Sequence, residues 1–190
     1  MKEKNTSTYV IGDVHGCFYT LQKLIAKIPN DAEIIFVGDL CDKGNFSKEV
    51  IDFVIKNKYR CVKGNHEYLM QKYLYDAVVH QKHSPWSEDY RYGGIQTYTN
   101  YLDDHQTMQK HLDWIQTLPM YIEIDNYFIT HGFALPFYEH RDNQEYHDTF
   151  LLNRYEHEME VAPSDVINIF GHCVFEEVIK HQNFYAIDTG

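Results

Sequence analysis

The stretch Ile35-Phe36-Val37-Gly38-Asp39-Leu40-Cys41-Asp42-Lys43-Gly44 constrains this chain more than any other. It opens as a short apolar run and stops at Gly-Asp. An apolar run bounded by glycine reads as a buried strand ending in a tight turn. A carboxylate delivered where a buried strand ends is well positioned for chemistry. The pattern recurs. Tyr9-Val10-Ile11 leads into Gly12-Asp13-Val14-His15-Gly16, and Tyr59-Arg60-Cys61-Val62-Lys63 leads into Gly64-Asn65-His66-Glu67. Tyr127-Phe128-Ile129-Thr130 ends on His131-Gly132, and Val166-Ile167-Asn168-Ile169-Phe170 ends on Gly171-His172. Each run delivers Asp, Asn or His beside a glycine, which lets the backbone turn and lets loops approach closely.

Taken singly, each of these ends is most simply a polar strand cap. Taken together, Asp13, His15, Asp39, Asp42, Asn65, His66, His131 and His172 are hard-to-borderline oxygen and nitrogen donors with almost no thiolate among them. That donor chemistry points to a metal site.

Composition narrows what such a site can serve. A chain of 190 residues is long enough for one domain with a sizeable core. Its formal charge of −11 argues against a general binder of phosphate backbones. Anionic substrates stay open, because bound divalent cations invert the local field. Cys17, Cys41, Cys61 and Cys173 lie far apart with no Cys-x-x-Cys pair, which is neither a zinc-finger nor a disulfide pattern. Free thiols in a reducing compartment are expected. The first residues, Met1 to Thr8, show no signal peptide, and no apolar run approaches bilayer length. The expected setting is cytoplasmic, with no membrane partner.

Leu21, Leu24, Ile25 and Ile28 fall at helical spacing, ended by Pro29-Asn30. Strand, helix and strand therefore fit between residues 8 and 39, the size of a βαβ unit. A second helix from Ser47 to Asn57 turns Val50, Ile51 and Val54 inward, and a third strand ends at Asn65. Right-handed crossovers then bring three ligand-bearing loops out on one side of one sheet. Residues 67 to 118 break this rhythm. They read as a helix from Glu67 to His83, a loop at Ser84-Pro85-Trp86-Ser87, a helix from Ile95 to Leu102, and a helix capped by Thr107 that runs to Leu118. The expectation is a mostly helical insertion, within a single domain spanning 1–190, that roofs the metal site. Its tyrosines, among them Tyr68, Tyr73, Tyr75, Tyr90, Tyr92, Tyr98 and Tyr101, read first as packing aromatics and second as a stacking surface for substrate. A hairpin about Asp125-Asn126 follows. Residues 133 to 164 read as loops and short helices, and strands are expected at Val166 to Phe170, Glu177 to His181 and Phe184 to Ile187, in an antiparallel or mixed arrangement.

In their order along the chain, Gly12-Asp13-Val14-His15-Gly16, Gly38 to Gly44, Gly64-Asn65-His66-Glu67, His131-Gly132 and Gly171-His172 resemble the motifs of the calcineurin-like metallophosphoesterases, in particular the phosphoprotein phosphatase branch. Within it the chain is similar to the small bacterial and phage-type Ser/Thr protein phosphatases and to the bacterial symmetrical diadenosine tetraphosphatases. The likeness runs from about Tyr9 to Ile187-Asp188-Thr189-Gly190. It implies an α/β fold with two mixed β-sheets in a central sandwich flanked by helices and a dinuclear metal site at the sheet edge. It implies that Asp13, His15 and Asp39 bind one divalent cation and that Asp39, Asn65, His131 and His172 bind the other, with Asp39 bridging. Two cations about 3.5–4 Å apart need a bridging anion, and a water shared between them would lose a proton near neutral pH and become the nucleophile. Manganese is the ion expected first; iron, zinc and nickel suit the same donors. The resemblance makes His66 the acid that protonates the leaving alkoxide and Asp42 the carboxylate that holds its ring. Glu67 reads as a support of the loop.

The chain also departs from the family pattern. Lys43 stands where the family usually has arginine, and a lysine is a point charge without the bidentate fork. A second family arginine sits in a Trp-x-Arg or Trp-Asn-Arg element; Leu152-Asn153-Arg154 is the near match, which makes Arg154 the second substrate-binding candidate and Arg141 the fallback. Family members continue beyond Ile-Asp-Thr-Gly, whereas this chain stops at Gly190, so the natural protein is either short or truncated here. In the second case a sheet edge is left uncovered. The remaining histidines (His80, His83, His105, His111, His140, His147, His157 and His181) read as surface residues.

The activity implied is a metal-dependent phosphoric-ester hydrolase acting on Ser/Thr phosphoproteins or phosphorylated small molecules, with no nucleic acid polymer as partner. The alternative is a symmetrical dinucleoside tetraphosphate hydrolase whose tyrosine-rich insertion stacks adenine. A non-catalytic phosphate-binding scaffold ranks third, since it would have little need of a bridging Asp and an acid His together. The sequence leaves the oligomeric state open.

Overall fold

In a computed structural model that describes residues 7–156 and 165–190, β1 (Thr8–Ile11), α1 (Phe18–Ile25) and β2 (Glu33–Phe36) form the expected βαβ unit with β1 and β2 parallel. α2 (Ser47–Asn57) leads to β3 (Arg60–Cys61), which adds parallel to β2. β3 is shorter than the apolar run promised. The Val62 N–H still donates to the Phe36 carbonyl at 3.0 Å, but the Lys63 N–H turns away to the Pro119 carbonyl at 2.8 Å.

Alternation along β2 explains the layers. Ile34 and Phe36 face a core shared with α1, α2 and the following helices, while Ile35 and Val37 face Ile122 and Ile129 of the second sheet. That second sheet orders β4 (Tyr121–Ile124), β5 (Tyr127–Thr130), β6 (Ile167–Phe170), β8 (Phe184–Ala186) and β7 (Ile179–Lys180). β4 and β5 are the antiparallel hairpin, with Asp125 in the left-handed region at φ 51°. β5, β6 and β8 run parallel, and β7 returns antiparallel to β8. Phe128, Phe150, Phe170 and Phe184 fill the outer face of this sheet. The result is an α/β sandwich of two sheets flanked by helices, the first sheet parallel among the described residues and the second mixed.

Between the sheets' strands lie α3 (Asn65–His80), α4 (Pro85–Glu88), α5 (Gly94–Tyr101) and α6 (His105–Gln116). The expected loop at Ser84 to Ser87 is a helical turn, because proline at a first helical position costs no hydrogen bond and presets φ. α6 starts earlier than expected: Asp104 caps it by accepting from the Thr107 N–H at 3.1 Å, so Thr107 receives the cap rather than supplying it. Two 3-10 turns and α7 (His147–Leu152) follow β5, and His157 lies outside the described residues.

Candidate metal centre

The turns after β1 and β2 are laced together by their backbones. The N–H groups of Val14 and His15 both donate to the Asp39 carbonyl, at 3.0 and 2.9 Å, and Gly16 donates to the Leu40 carbonyl at 2.8 Å. These turns demand unusual backbone. Among the described non-glycine residues with positive φ are His15 (45°), Asp39 (50°), Asp42 (68°), Lys43 (61°) and His172 (61°), all candidate site residues. Left-handed backbone in such residues is unfavourable and is retained where the surroundings over-determine it, as at functional sites. Gly64 is required by close approach: a Cβ there would lie 2.2 Å from Asp39 Oδ1 and 2.4 Å from the Asp39 N.

Glu67 secures this packing. Fully buried, it accepts from the N–H groups of Asp39 (2.8 Å), Leu40 (2.7 Å) and Gly64 (2.9 Å). It thereby ties the Asp39 turn to the start of α3, the supporting part expected of it.

The imidazoles are oriented by carbonyls, which can only accept. His15 Nδ1–H donates to the Cys41 carbonyl at 2.9 Å and His131 Nδ1–H to the Val37 carbonyl at 2.8 Å. Both Nε2 lone pairs therefore face inward. His15 Nε2 lies 3.7 Å from Asp39 Oδ2 and 3.8 Å from Asp13 Oδ2. His131 Nε2 lies 3.4 Å from Asp39 Oδ1 and 2.8 Å from Asn65 Oδ1, and His172 Nδ1 lies 2.9 Å from the same Asn65 oxygen. Two sets of donor atoms, from His15, Asp39 and His66 and from Asp39, His131 and His172, each gather within 4.8 Å. Asp39 belongs to both.

Electrostatics agrees with a cation site. Burial, then the His66 and Lys43 charges, pushes His15 down to about 3. Burial, then Arg154, pushes His172 down to about 4. Burial, then His172, holds His131 well below its ordinary value. All three are neutral, as ligands must be. Asp13 is raised well above the carboxylate range by burial and then by Asp188, and Asp39 by burial and then by Asp13. Crowded buried carboxylates are unfavourable unless a cation joins them. Inward lone pairs, clustered carboxylates and a shared Asp39 fit two divalent cations.

The other candidates fall as follows. His66 Nδ1–H donates to Asp42 Oδ2 at 2.7 Å, and its Nε2 points to the centre, 3.8 Å from Asp39 Oδ2. Asp42 is fully buried, and Trp86 and Thr97 also donate to its carboxylate. Lys43 reaches in, its Nζ donating to His15 Nε2 at 2.8 Å. Arg154 is exposed beside His172. Arg141 is engaged elsewhere, paired with Glu123 at 3.2 Å and stacked on Tyr138. His111 is no surface residue: it is completely buried between Tyr101 and Asp52. Of the insertion's tyrosines, Tyr101 is buried and Tyr73 and Tyr98 pack on the core, whereas Tyr68, Tyr75, Tyr90 and Tyr92 are exposed.

Asp188 was not foreseen as a site residue. It is buried and touches Asp13. The signal was available, since Tyr185-Ala186-Ile187 is one more apolar run ending on an aspartate near a glycine. Trp86 and Thr97 carried no such signal.

Residues 6–187 match the family model described as calcineurin-like phosphoesterase. Over 66 residues the chain is 42% identical to a symmetrical bis(5'-nucleosyl)-tetraphosphatase of Erwinia tasmaniensis, covering 32% of this chain and 24% of that protein. Over 138 residues it is 28% identical to an asymmetrical bis(5'-nucleosyl)-tetraphosphatase of Oceanobacillus iheyensis, covering 62% of this chain and 51% of that protein. The chain thus spans about half or less of the length of these relatives. A protein serine/threonine phosphatase from Saccharomyces cerevisiae superposes with a TM-score of 0.69 at 17% identity, over 99% of this chain and 68% of that one. A cold-active protein-tyrosine phosphatase of a psychrophilic Shewanella species gives 0.61 at 18% identity, over 98% and 73%. Similarity at that identity is similarity of fold. The family match takes in every strand and helix described above, and the chain belongs to the calcineurin-like phosphoesterases.

Proposed function

We propose that this protein is a metal-dependent phosphoric-ester hydrolase whose preferred substrates are Ser/Thr phosphoproteins. The observation that carries the reading is two groups of donors sharing Asp39, with Asp13 and His15 on one side and Asn65, His131 and His172 on the other, and with His66, held by the buried Asp42, facing Asp39. Bound at those groups, two divalent cations, manganese first and iron, zinc or nickel as alternatives, would neutralise phosphoryl oxygens and acidify a water for in-line attack. Asp13, His15 and Asp39 would hold one, and Asp39, Asn65, His131 and His172 the other.

The chain's own residues would do the rest. His66 Nε2–H, facing the centre, gives its proton to the leaving oxygen as the P–O bond breaks, and Asp42 stabilises the charged ring beforehand. An alkoxide from serine or threonine needs that proton; a phenolate or nucleoside diphosphate needs it far less, which favours the phosphoprotein reading. Lys43 is anchored on His15 Nε2, a lone pair that serves the ammonium or a cation but not both, so a cation held by His15 would leave Lys43 free for phosphoryl oxygens. Arg154, exposed beside His172, supplies a planar fork from the other side. Cysteines that are all unpaired support a reducing, cytoplasmic setting.

The second reading, hydrolysis of dinucleoside tetraphosphates, is favoured by the curated relatives and by exposed Tyr90 and Tyr92, which lead into Gly93, whose carbonyl accepts from the Lys43 N–H at 3.1 Å. Phosphate release from a phosphoserine peptide, with Mn²⁺ and with EDTA, tests the first reading. p-Nitrophenyl phosphate and diadenosine tetraphosphate run in parallel. Manganese-dependent turnover of the peptide supports it; turnover of the dinucleotide alone replaces it with the second; silence on all three overturns both.

A further inference from the structure

Besides His66, next to candidate ligand Asn65, the buried carboxylate of Asp42 is held by Trp86 and Thr97 of the helical segment. Oδ2 accepts from Trp86 Nε1–H at 2.7 Å as well as from His66 Nδ1–H at 2.7 Å. Oδ1 accepts from Thr97 Oγ1–H at 2.6 Å. Thr97 Oγ1 itself accepts the Asp42 backbone N–H at 2.9 Å, which Ser47 Oγ shares at 3.1 Å. Because the single Thr97 hydroxyl proton goes to Asp42, the 2.9 Å contact between Ser47 Oγ and Thr97 Oγ1 is donated by Ser47. Trp86 cannot turn away: its ring is buried, stacks on Tyr73, and is flanked by Gly94, where a Cβ would lie 2.4 Å from the indole Cε2.

We propose that Trp86 and Thr97 are positioning residues for proton delivery: they fix the plane of the Asp42 carboxylate so that the His66 ring presents Nε2–H to the leaving oxygen. This rests on the acid function of His66 proposed above. A carboxylate bonded to one imidazole can rotate and exchange its oxygens. Charge-assisted donors on both oxygens remove that freedom and compensate the burial of the charge. In the step served, the Nε2 proton passes to the departing oxygen as the P–O bond breaks. Nδ1–H stays on the ring against Asp42, and the neutral imidazole regains its proton from water.

The test uses the full chain loaded with Mn²⁺, a phosphoserine peptide as the alkyl ester and p-nitrophenyl phosphate as the aryl ester. Trp86→Phe keeps a ring and removes the N–H; Thr97→Val is isosteric and removes the hydroxyl. Each is expected to lower alkyl kcat about tenfold while alkyl KM and aryl turnover stay within about twofold. Thr97→Ser is expected to restore most of the loss. In the metal-free protein, the downfield proton resonance of His66 Nδ1–H, assigned by its loss in His66→Asn, is expected to shift in Trp86→Phe and Thr97→Val and to stay in Thr97→Ser. Equal losses on both esters overturn the proposal. So does unchanged alkyl turnover, or an unmoved resonance, in a folded variant while His66→Asn remains selective. If Trp86→Phe fails to fold, Thr97→Val decides. A wild-type protein inactive on both esters overturns the phosphoprotein reading, and this inference with it.

Discussion

Around β1, β2 and β3 the candidate ligands sit on the turns themselves: Asp13, Asp39 and Asn65 follow closely on strand ends, and their positions are set by backbone hydrogen bonds between adjacent turns. Between α4 and α6 there is no candidate ligand among the described residues, yet Trp86 and Thr97 reach the centre through Asp42. The first region acts by where its backbone goes. The second acts by how its helices pack, since α4 and α5 must sit against α3 for both donors to meet one carboxylate. Damage to the turns should therefore remove chemistry outright, and damage to the insertion should change which esters are cleaved.

Asp39→Asn is the most severe break on the turn side. Asp39 belongs to both donor groups, so phosphatase turnover should fall about a thousandfold or more, and bound Mn²⁺ per chain should fall with it. Near-normal turnover would sink the shared-ligand account.

Glu67→Gln tests whether the turns need their support. Gln keeps one acceptor oxygen but sets an amide N–H₂ against backbone N–H groups that Glu67 now satisfies. Stability in urea should drop by about 1–3 kcal/mol, and Mn²⁺ affinity in a calorimetric titration by about tenfold or more. Unchanged affinity in a destabilised variant would confine Glu67 to folding.

On the insertion side, Gly94→Ala sharpens the comparison without touching Asp42. Its Cβ would lie 2.3 Å from the Trp86 carbonyl oxygen and press on the indole. Melting should show about 1–3 kcal/mol of strain, and alkyl turnover should fall more than aryl turnover. A loss equal for both esters would show that the insertion matters only as packing.

The smallest effect is in the pH dependence of stability. His111 is buried, and burial, partly offset by Asp52, lowers its pKa from 6.5. The neutral ring accepts from Tyr101 O–H at Nδ1 (2.7 Å) and donates to Asp52 from Nε2 (3.1 Å); protonation would oppose Nδ1–H to that hydroxyl hydrogen. The unfolded chain therefore binds the proton more readily than the folded one, so ∂ΔG/∂pH is positive below the unfolded value. The stabilisation is complete above about pH 6.5 and is lost as pH falls from there toward the folded value. Metal-free wild type should lose more melting temperature than His111→Gln between pH 7 and 5. Parallel curves would remove His111 from the account.

How legible the molecule was depends on the range of the interactions involved. The βαβ unit, α2 and the β4–β5 hairpin follow from local periodicity and turn residues, and their observed bounds lie close to the expected ones. β3 was over-read because Lys63 looks like strand but its N–H pairs with the Pro119 carbonyl. The cap of α6 was placed at Thr107, one turn too late, because the polar Asp104 that caps it three residues earlier was not weighed. Arg154 is brought beside His172, whereas Arg141 pairs with Glu123.

The sequence by itself determined the donors and their order, because a polar residue beside glycine at the end of an apolar run is a short-range pattern that dictates its own turn. Only the tertiary structure decided what surrounds Asp42. Trp86 and Thr97 lie 44 and 55 positions away along the chain. No local periodicity distinguishes a tryptophan that donates to a buried carboxylate from one that fills a core. That distinction exists only once helix packing has removed water from Asp42 and left those two donors to satisfy it.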